Sequence, residues 1–291
     1  MGRWRVFEAL GLLAAALLAA APGAASAAAS GPVFKVRFGQ DLSRMRLEGR
    51  LLLLLSSDPS AEPRLQIGHE PSTQMVFGLT LSGLAPGAAA VVDGSNAVGW
   101  PVARLSEVPP GEYVVQAVLN RYETFHRGDG SVVDLPPDRG EGQQWSRKPG
   151  NLVSTPMKIT LRRGPSAPVE VRLDHALPEI PPPADTPFVR HLRIKSALLS
   201  AFWGTPVYLG ANVLVPAGFD AHPEARYPLM VFHGHFPADV SEFRTTPPDP
   251  NLKPVSSERF HLDGYNRIEQ EEAYKLYQRW ISKDFPRFLV V

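Results

Sequence analysis

The 291-residue sequence contains no cysteine, which excludes disulfides, thiolate metal sites and cysteine nucleophiles. It has no surplus of either charge, with 30 Lys and Arg against 29 Asp and Glu. Nucleic acid is held by a basic excess that neutralises phosphates, so no nucleic-acid partner is expected. A membrane-length apolar run is also missing. The run from Ala9 to Ala21 is interrupted by Gly11 and spans only about 20 Å as a helix, against about 30 Å of bilayer hydrocarbon. No stable membrane anchor is therefore expected.

What is present points to export. Arg3 and Arg5 give a positive start, the apolar run follows, and Ala25-Ser26-Ala27 is a small-x-small cleavage site. Residues 1–27 read as a signal peptide cleaved after Ala27, which sends the chain to the periplasm or outside the cell. Loss of Arg3, Arg5 and Glu8 with that segment leaves the two signs of charge balanced. At 44% hydrophobic and 20% charged residues, the remainder can build two modest cores and is not a disordered chain. Thirty prolines and 24 glycines fall between the apolar runs, which favours short strands joined by turns.

Residues 32–176 read as a β-sandwich of the immunoglobulin-like kind. Val33 to Phe38, Gly49 to Ser56, Gln74 to Leu81, Tyr113 to Leu119, Met157 to Leu161 and Val169 to Leu173 are apolar runs bounded by turn residues. Val169, Val171 and Leu173 alternate with Glu170 and Arg172, which puts one face inward and one in water. Leu51 to Leu55 lacks that alternation and predicts a strand covered on both faces. The stretch from Arg121 to Gly150 interrupts the pattern, and a loop of this length is either functional or packed on a neighbour. Its Tyr122, Gln143, Gln144 and Trp145 suit a sugar or an active-site rim. Arg127-Gly128-Asp129 spells an adhesion tripeptide, but nothing else in the chain supports adhesion.

Residues 177–188 carry Pro178, Pro181, Pro182, Pro183 and Pro187 and read as an extended linker. Beyond it, Val189 to Lys195 and Pro206 to Pro216 alternate at period two and predict antiparallel strands. A buried run, Leu229 to Phe232, stops at His233-Gly234-His235. Ile268, Ala273, Leu276, Tyr277, Trp280 and Ile281 recur at helical spacing over about Asn266 to Ser282, with Glu271 and Lys275 paired on the polar side. Pro286 then ends the helix and Phe288 to Val291 begins another strand. Strand, loop, helix and strand make one βαβ unit.

These residues carry a resemblance. Residues 189–291, through Tyr208 to Pro216, Arg226 to Gly234 and Phe288 to Val291, resemble the opening of an α/β-hydrolase domain of the esterase type, incomplete as it stands. The preceding sandwich resembles the accessory domain of exported bacterial hydrolases. The resemblance implies that His233, Gly234 and His235 form the loop after the third strand. Gly234 and His235 then offer backbone N–H groups to an oxyanion, and His233 shapes the turn. It implies a small-molecule or glycan ester substrate and no cofactor. A His-x-His metal site has no third ligand nearby in sequence. The family's Gly-x-Ser-x-Gly nucleophile elbow occurs nowhere; Gly164-Pro165-Ser166-Ala167-Pro168 lacks the second glycine. The expectation is therefore an N-terminal fragment of a secreted serine hydrolase, inactive by itself. The alternative is a non-catalytic exported protein whose sandwich binds a glycan or another protein.

Overall fold

The structure is a computed structural model that describes residues 31–164, 166–232, 240, 242–257 and 259–291. The export segment, Pro165 and the predicted oxyanion loop His233, Gly234 and His235 lie outside the described residues. The chain is β-rich. Sixteen strands and two α-helices are formed among the described residues, and neither helix is long and apolar enough to cross a membrane.

The first body is two facing sheets. A three-stranded sheet sets β1 (Phe34–Phe38) between β4 (Ala90–Val92) and β11 (Val169–Leu173). The larger sheet centres on β2 (Leu47–Ser56), which pairs antiparallel with β3 (Met75–Leu84) on one side and β6 (Gly111–Arg121) on the other. Outside β3 lies β5 (Val98–Trp100); outside β6 lie β9 (Leu152–Val153) and β10 (Met157–Leu161), with β12 (His175–Ala176) on β9. The short strands β4, β5, β9 and β12 carry no periodicity long enough to signal themselves in sequence. β1 and β11 pair parallel, although they are the first and last long strands of this body.

Alternation explains the core. Phe34, Val36 and Phe38 from one sheet meet Leu51, Leu53, Leu55, Val115, Ala117 and Leu119 from the other. The expected alternation at Val169 to Leu173 is seen, with Val171 and Leu173 buried and Glu170 and Arg172 exposed. The five-leucine run is also covered on both faces as expected. Leu51, Leu53 and Leu55 point between the sheets, while Leu52 and Leu54 face outward under Ile67, Trp145 and Leu177. That outer cover gives the larger sheet a second apolar layer. Leu177 thus belongs to the body, and its N–H and C=O pair with Asn151 and Gly150.

The Arg121 to Gly150 stretch holds a hairpin that its sequence does not announce. β7 (Glu123–His126) pairs with β8 (Val132–Leu135), setting Phe125 opposite Val133. At its tip Arg127 pairs with Asp129 at 2.6 Å, which holds the Asp129 carboxyl well below the usual range, and Ser131 adds two hydrogen bonds. The adhesion tripeptide is thus closed on itself.

After residues 177–188, which form no helix or strand, a second sheet begins. β13 (Val189–Ser196) pairs antiparallel with β14 (Val207–Leu214), and between them comes α1 (Ala197–Trp203), one short helix that alternation alone does not reveal. Ser196 caps its start, and Gly204 closes it in the left-handed conformation where a Cβ would strike the His126 carbonyl at 2.4 Å. β15 (Leu229–Met230) and β16 (Leu289–Val290) are parallel, joined through α2 (Tyr265–Ile281), and β16 lies between β14 and β15. Lys275 pairs with Glu272 at 2.8 Å, one position from the expected Glu271 and still within one helical turn. Arg287 donates to the Trp280 and Ser282 carbonyls, satisfying acceptors that the end of α2 leaves open.

Candidate functional site

Two places carry chemistry. The first is the end of β15. β15 and β16 are parallel, and the Phe232 N–H donates to the Val291 carbonyl at 2.6 Å, so both strands finish at the same end of the sheet. In open α/β sheets, ligands collect outside the carboxyl ends of parallel strands. The chain passes from there into His233, Gly234 and His235, outside the described residues. An aromatic cluster packs at the other, amino end of β16, where Phe288 immediately precedes Leu289. Trp280 is 2% exposed, packs edge-on to Phe288 at 5.0 Å, and donates its indole N–H to the Val215 carbonyl at 2.8 Å. Phe188, Phe243 and Tyr277 complete a contact ring with centroids 5.6 to 5.7 Å apart.

The second is a hollow of about 650 Å³ on the outer face of the larger sheet of the first body. Three segments build it: the turn after β2, the end of β5, and residues 143–146. Gln116, fully buried on β6, organises the first. It accepts from the Arg64 N–H at 3.0 Å and donates to Glu62 at 2.8 Å and to the Ser154 carbonyl at 3.0 Å. Arg64 in turn pairs with Glu62 at 2.7 Å and donates to the Ser146 carbonyl, tying the turn to the third segment. The Glu62 carboxyl is held below its ordinary range, first by the hydrogen bond from Arg64; burial opposes this, and Gln116 adds to the lowering.

The rim is aromatic and amide. Trp100 lies opposite Val76 in the β3–β5 pairing, which places it on the outer face, and it is 43% exposed. The neighbouring glycine makes this possible, because a Cβ at Gly99 would meet the Phe77 ring at 2.4 Å. Trp145 rests on Leu54, Val118, Val153 and Leu177, and its carbonyl is held by Asn151 at 2.8 Å. Gln143 sits at φ 65°, a left-handed conformation uncommon for a residue with a side chain. Tyr122, named with these residues from the sequence, does not line the hollow.

The two parts of the long stretch therefore divide their work. Its hairpin packs on α1: the Arg127 guanidinium lies 5.2 Å from the Phe202 ring, Phe125 meets Trp203 edge-on at 5.6 Å, and the Gly128 N–H donates to the Phe202 carbonyl. Its second half supplies Gln143, Gln144 and Trp145 to the hollow. Sequence reasoning singled out those three but missed Arg64, His69 and Trp100. Only the pairing of β5 with β3 brings Trp100 to the rim, and no local pattern encodes it.

Comparison with protein-family models, with characterised proteins and with solved structures found no match to this chain.

Proposed function

We propose that residues 189–291 are the opening part of an esterase-type α/β-hydrolase domain, carried behind an immunoglobulin-like sandwich in an exported protein that acts on an ester or related acyl bond. The observation that supports this reading is the strand plan. Two antiparallel lead-in strands, β13 and β14, precede a parallel pair, β15 and β16, joined through α2, and the sequence after β15 reads Val231-Phe232-His233-Gly234-His235. The parallel pairing of β1 with β11 in an otherwise antiparallel body agrees with the accessory sandwich.

In this reading the Gly234 and His235 N–H groups donate to the carbonyl oxygen as it gains negative charge. Glycine at 234 lets the backbone come close, and one such donor lowers the barrier by about 3 kcal/mol. The sequence has no Gly-x-Ser-x-Gly, so this reading requires a nucleophilic serine from outside residues 1–291.

The test is labelling with a fluorophosphonate and hydrolysis of p-nitrophenyl butyrate by the protein expressed from its complete gene. One serine takes the label, residues 1–291 alone take none, and His235→Pro, which deletes one donor N–H, lowers kcat by about 10²-fold to 10³-fold. An unlabelled protein that leaves the ester intact overturns the reading.

A further inference from the structure

We infer that the hollow between Trp100 and Trp145 is a binding site for a neutral saccharide chain. It lies on the two-sheet body and does not depend on the acyl-hydrolase reading.

The lining selects the ligand class. A volume of about 650 Å³ lies in the range of small-molecule sites, about 300–1,000 Å³. The site carries no free cation from Arg64, because that guanidinium is spent on Glu62 and the Ser146 carbonyl. A phosphate or carboxylate ligand therefore finds its best partner already occupied. A purely apolar ligand is equally mismatched, since Gln143, Gln144 and His69 line the hollow beside the indoles. Among the described residues, these three side chains make no hydrogen bond to the protein. A carboxamide offers one acceptor and two donor hydrogens, a pattern that matches neighbouring hydroxyls.

Trp100 adds a stacking surface. An indole that is 43% exposed leaves a large flat apolar surface facing water. The C–H face of a pyranose is apolar while its edge is ringed with hydroxyls, so one ring can cover an indole and satisfy amides at the same time. The platform is also fixed in advance. Gly99 seats β5 against Phe77, Asn151 holds the Trp145 carbonyl, and Arg64 holds that of Ser146. Affinity is then not spent on ordering these loops.

Tryptophan fluorescence and calorimetric titration test this on the exported chain, using cello-, xylo-, malto- and chito-oligosaccharides as neutral probes and oligogalacturonate as the acidic one. At least one neutral series shifts the emission and binds, with oligogalacturonate at least tenfold weaker. Trp100→Ala and the double variant Gln143→Ala with Gln144→Ala each weaken that binding by tenfold or more while the melting temperature is unchanged, since all three side chains are exposed. Absence of binding by every neutral series at millimolar concentration overturns the proposal. So does a stronger response to oligogalacturonate, or binding that Trp100→Ala leaves intact. No ester is present in these titrations, so failure of the hydrolase reading does not affect their outcome.

Discussion

Two apolar runs of this chain meet opposite fates. Leu51 to Leu55 is buried along its length, with four of its leucines fully enclosed. In the run Leu229 to Phe232 the exposures are 59%, 49%, 70% and 63%. Their compositions are similar. What separates them is their neighbours. β2 has a strand on each side, a facing sheet beneath and the Ile67, Trp145 and Leu177 layer above. β15 has one partner, β16, among the described residues. Apolar sequence sets the tendency to be buried, and the number of elements that arrive to cover it sets the energy recovered.

The same contrast runs through both regions. In the first body about twenty side chains join one core, whereas among the described residues of 189–291 only Val213, Leu214, Val215, Pro216, Ala273 and Trp280 are buried. Leu192, Ile194 and Leu209 share one face of the β13–β14 pair and remain 45%, 58% and 53% exposed.

Paired truncations test this most severely. Leu53→Ala removes a fully buried side chain and is expected to cost about 2–5 kcal/mol, while Leu209→Ala on its half-exposed strand costs about 0.5 kcal/mol. Urea unfolding of both variants decides it; equal losses would mean that the β13–β14 face is covered in solution and would break the comparison.

Lys148 sharpens it next. This lysine is 2% exposed and donates to the Arg121 carbonyl at 2.7 Å, joining the ends of the long stretch. Burial pushes its pKa down to about 8, partly offset by the charge of Glu141. The unfolded chain then holds more protons than the folded one between about pH 8 and the ordinary lysine pKa of about 10.4. The cost is complete below pH 8 and is relieved as pH rises through that window, so stability gains on the order of 3 kcal/mol. Denaturant titrations across the window check the sign. Lys148→Met flattens the rise, and an unchanged slope in that variant would assign it to other groups.

The smallest effect concerns the joint between the regions. Arg127→Ala removes the guanidinium over Phe202 and is expected to destabilise by about 1 kcal/mol. Hydrogen exchange read along the chain should quicken in α1 and leave the β2 and β6 amides unchanged. Faster exchange throughout the body would show that the hairpin supports the core as well as α1.

Much of the architecture was legible in these residues. The long strands β1, β2, β3, β6, β10 and β11 announced themselves by alternation or by turn residues at their ends, and α2 by its spacing of Ala273, Tyr277 and Trp280. The β7–β8 hairpin and α1 did not, because four-residue strands and a seven-residue helix are too short for periodicity and are stabilised by each other. The candidate sites divide along the same line. Gln143, Gln144 and Trp145 stood out by residue type within one loop. Trp100 and Arg64 did not, because one is brought by strand pairing and the other by a buried glutamine on a distant strand.

By itself, then, the sequence determined the absence of thiol chemistry, the balanced charge, the proline-rich stretch that follows Leu177 and the positions of the longer elements. Each follows from side-chain chemistry or from short-range backbone geometry. Only the tertiary structure decided which leucines are enclosed, that β16 inserts between β14 and β15, and that two tryptophans 45 positions apart border one hollow. Those outcomes rest on contacts between residues far apart in the chain, and such contacts form only when whole sheets assemble and exclude water together.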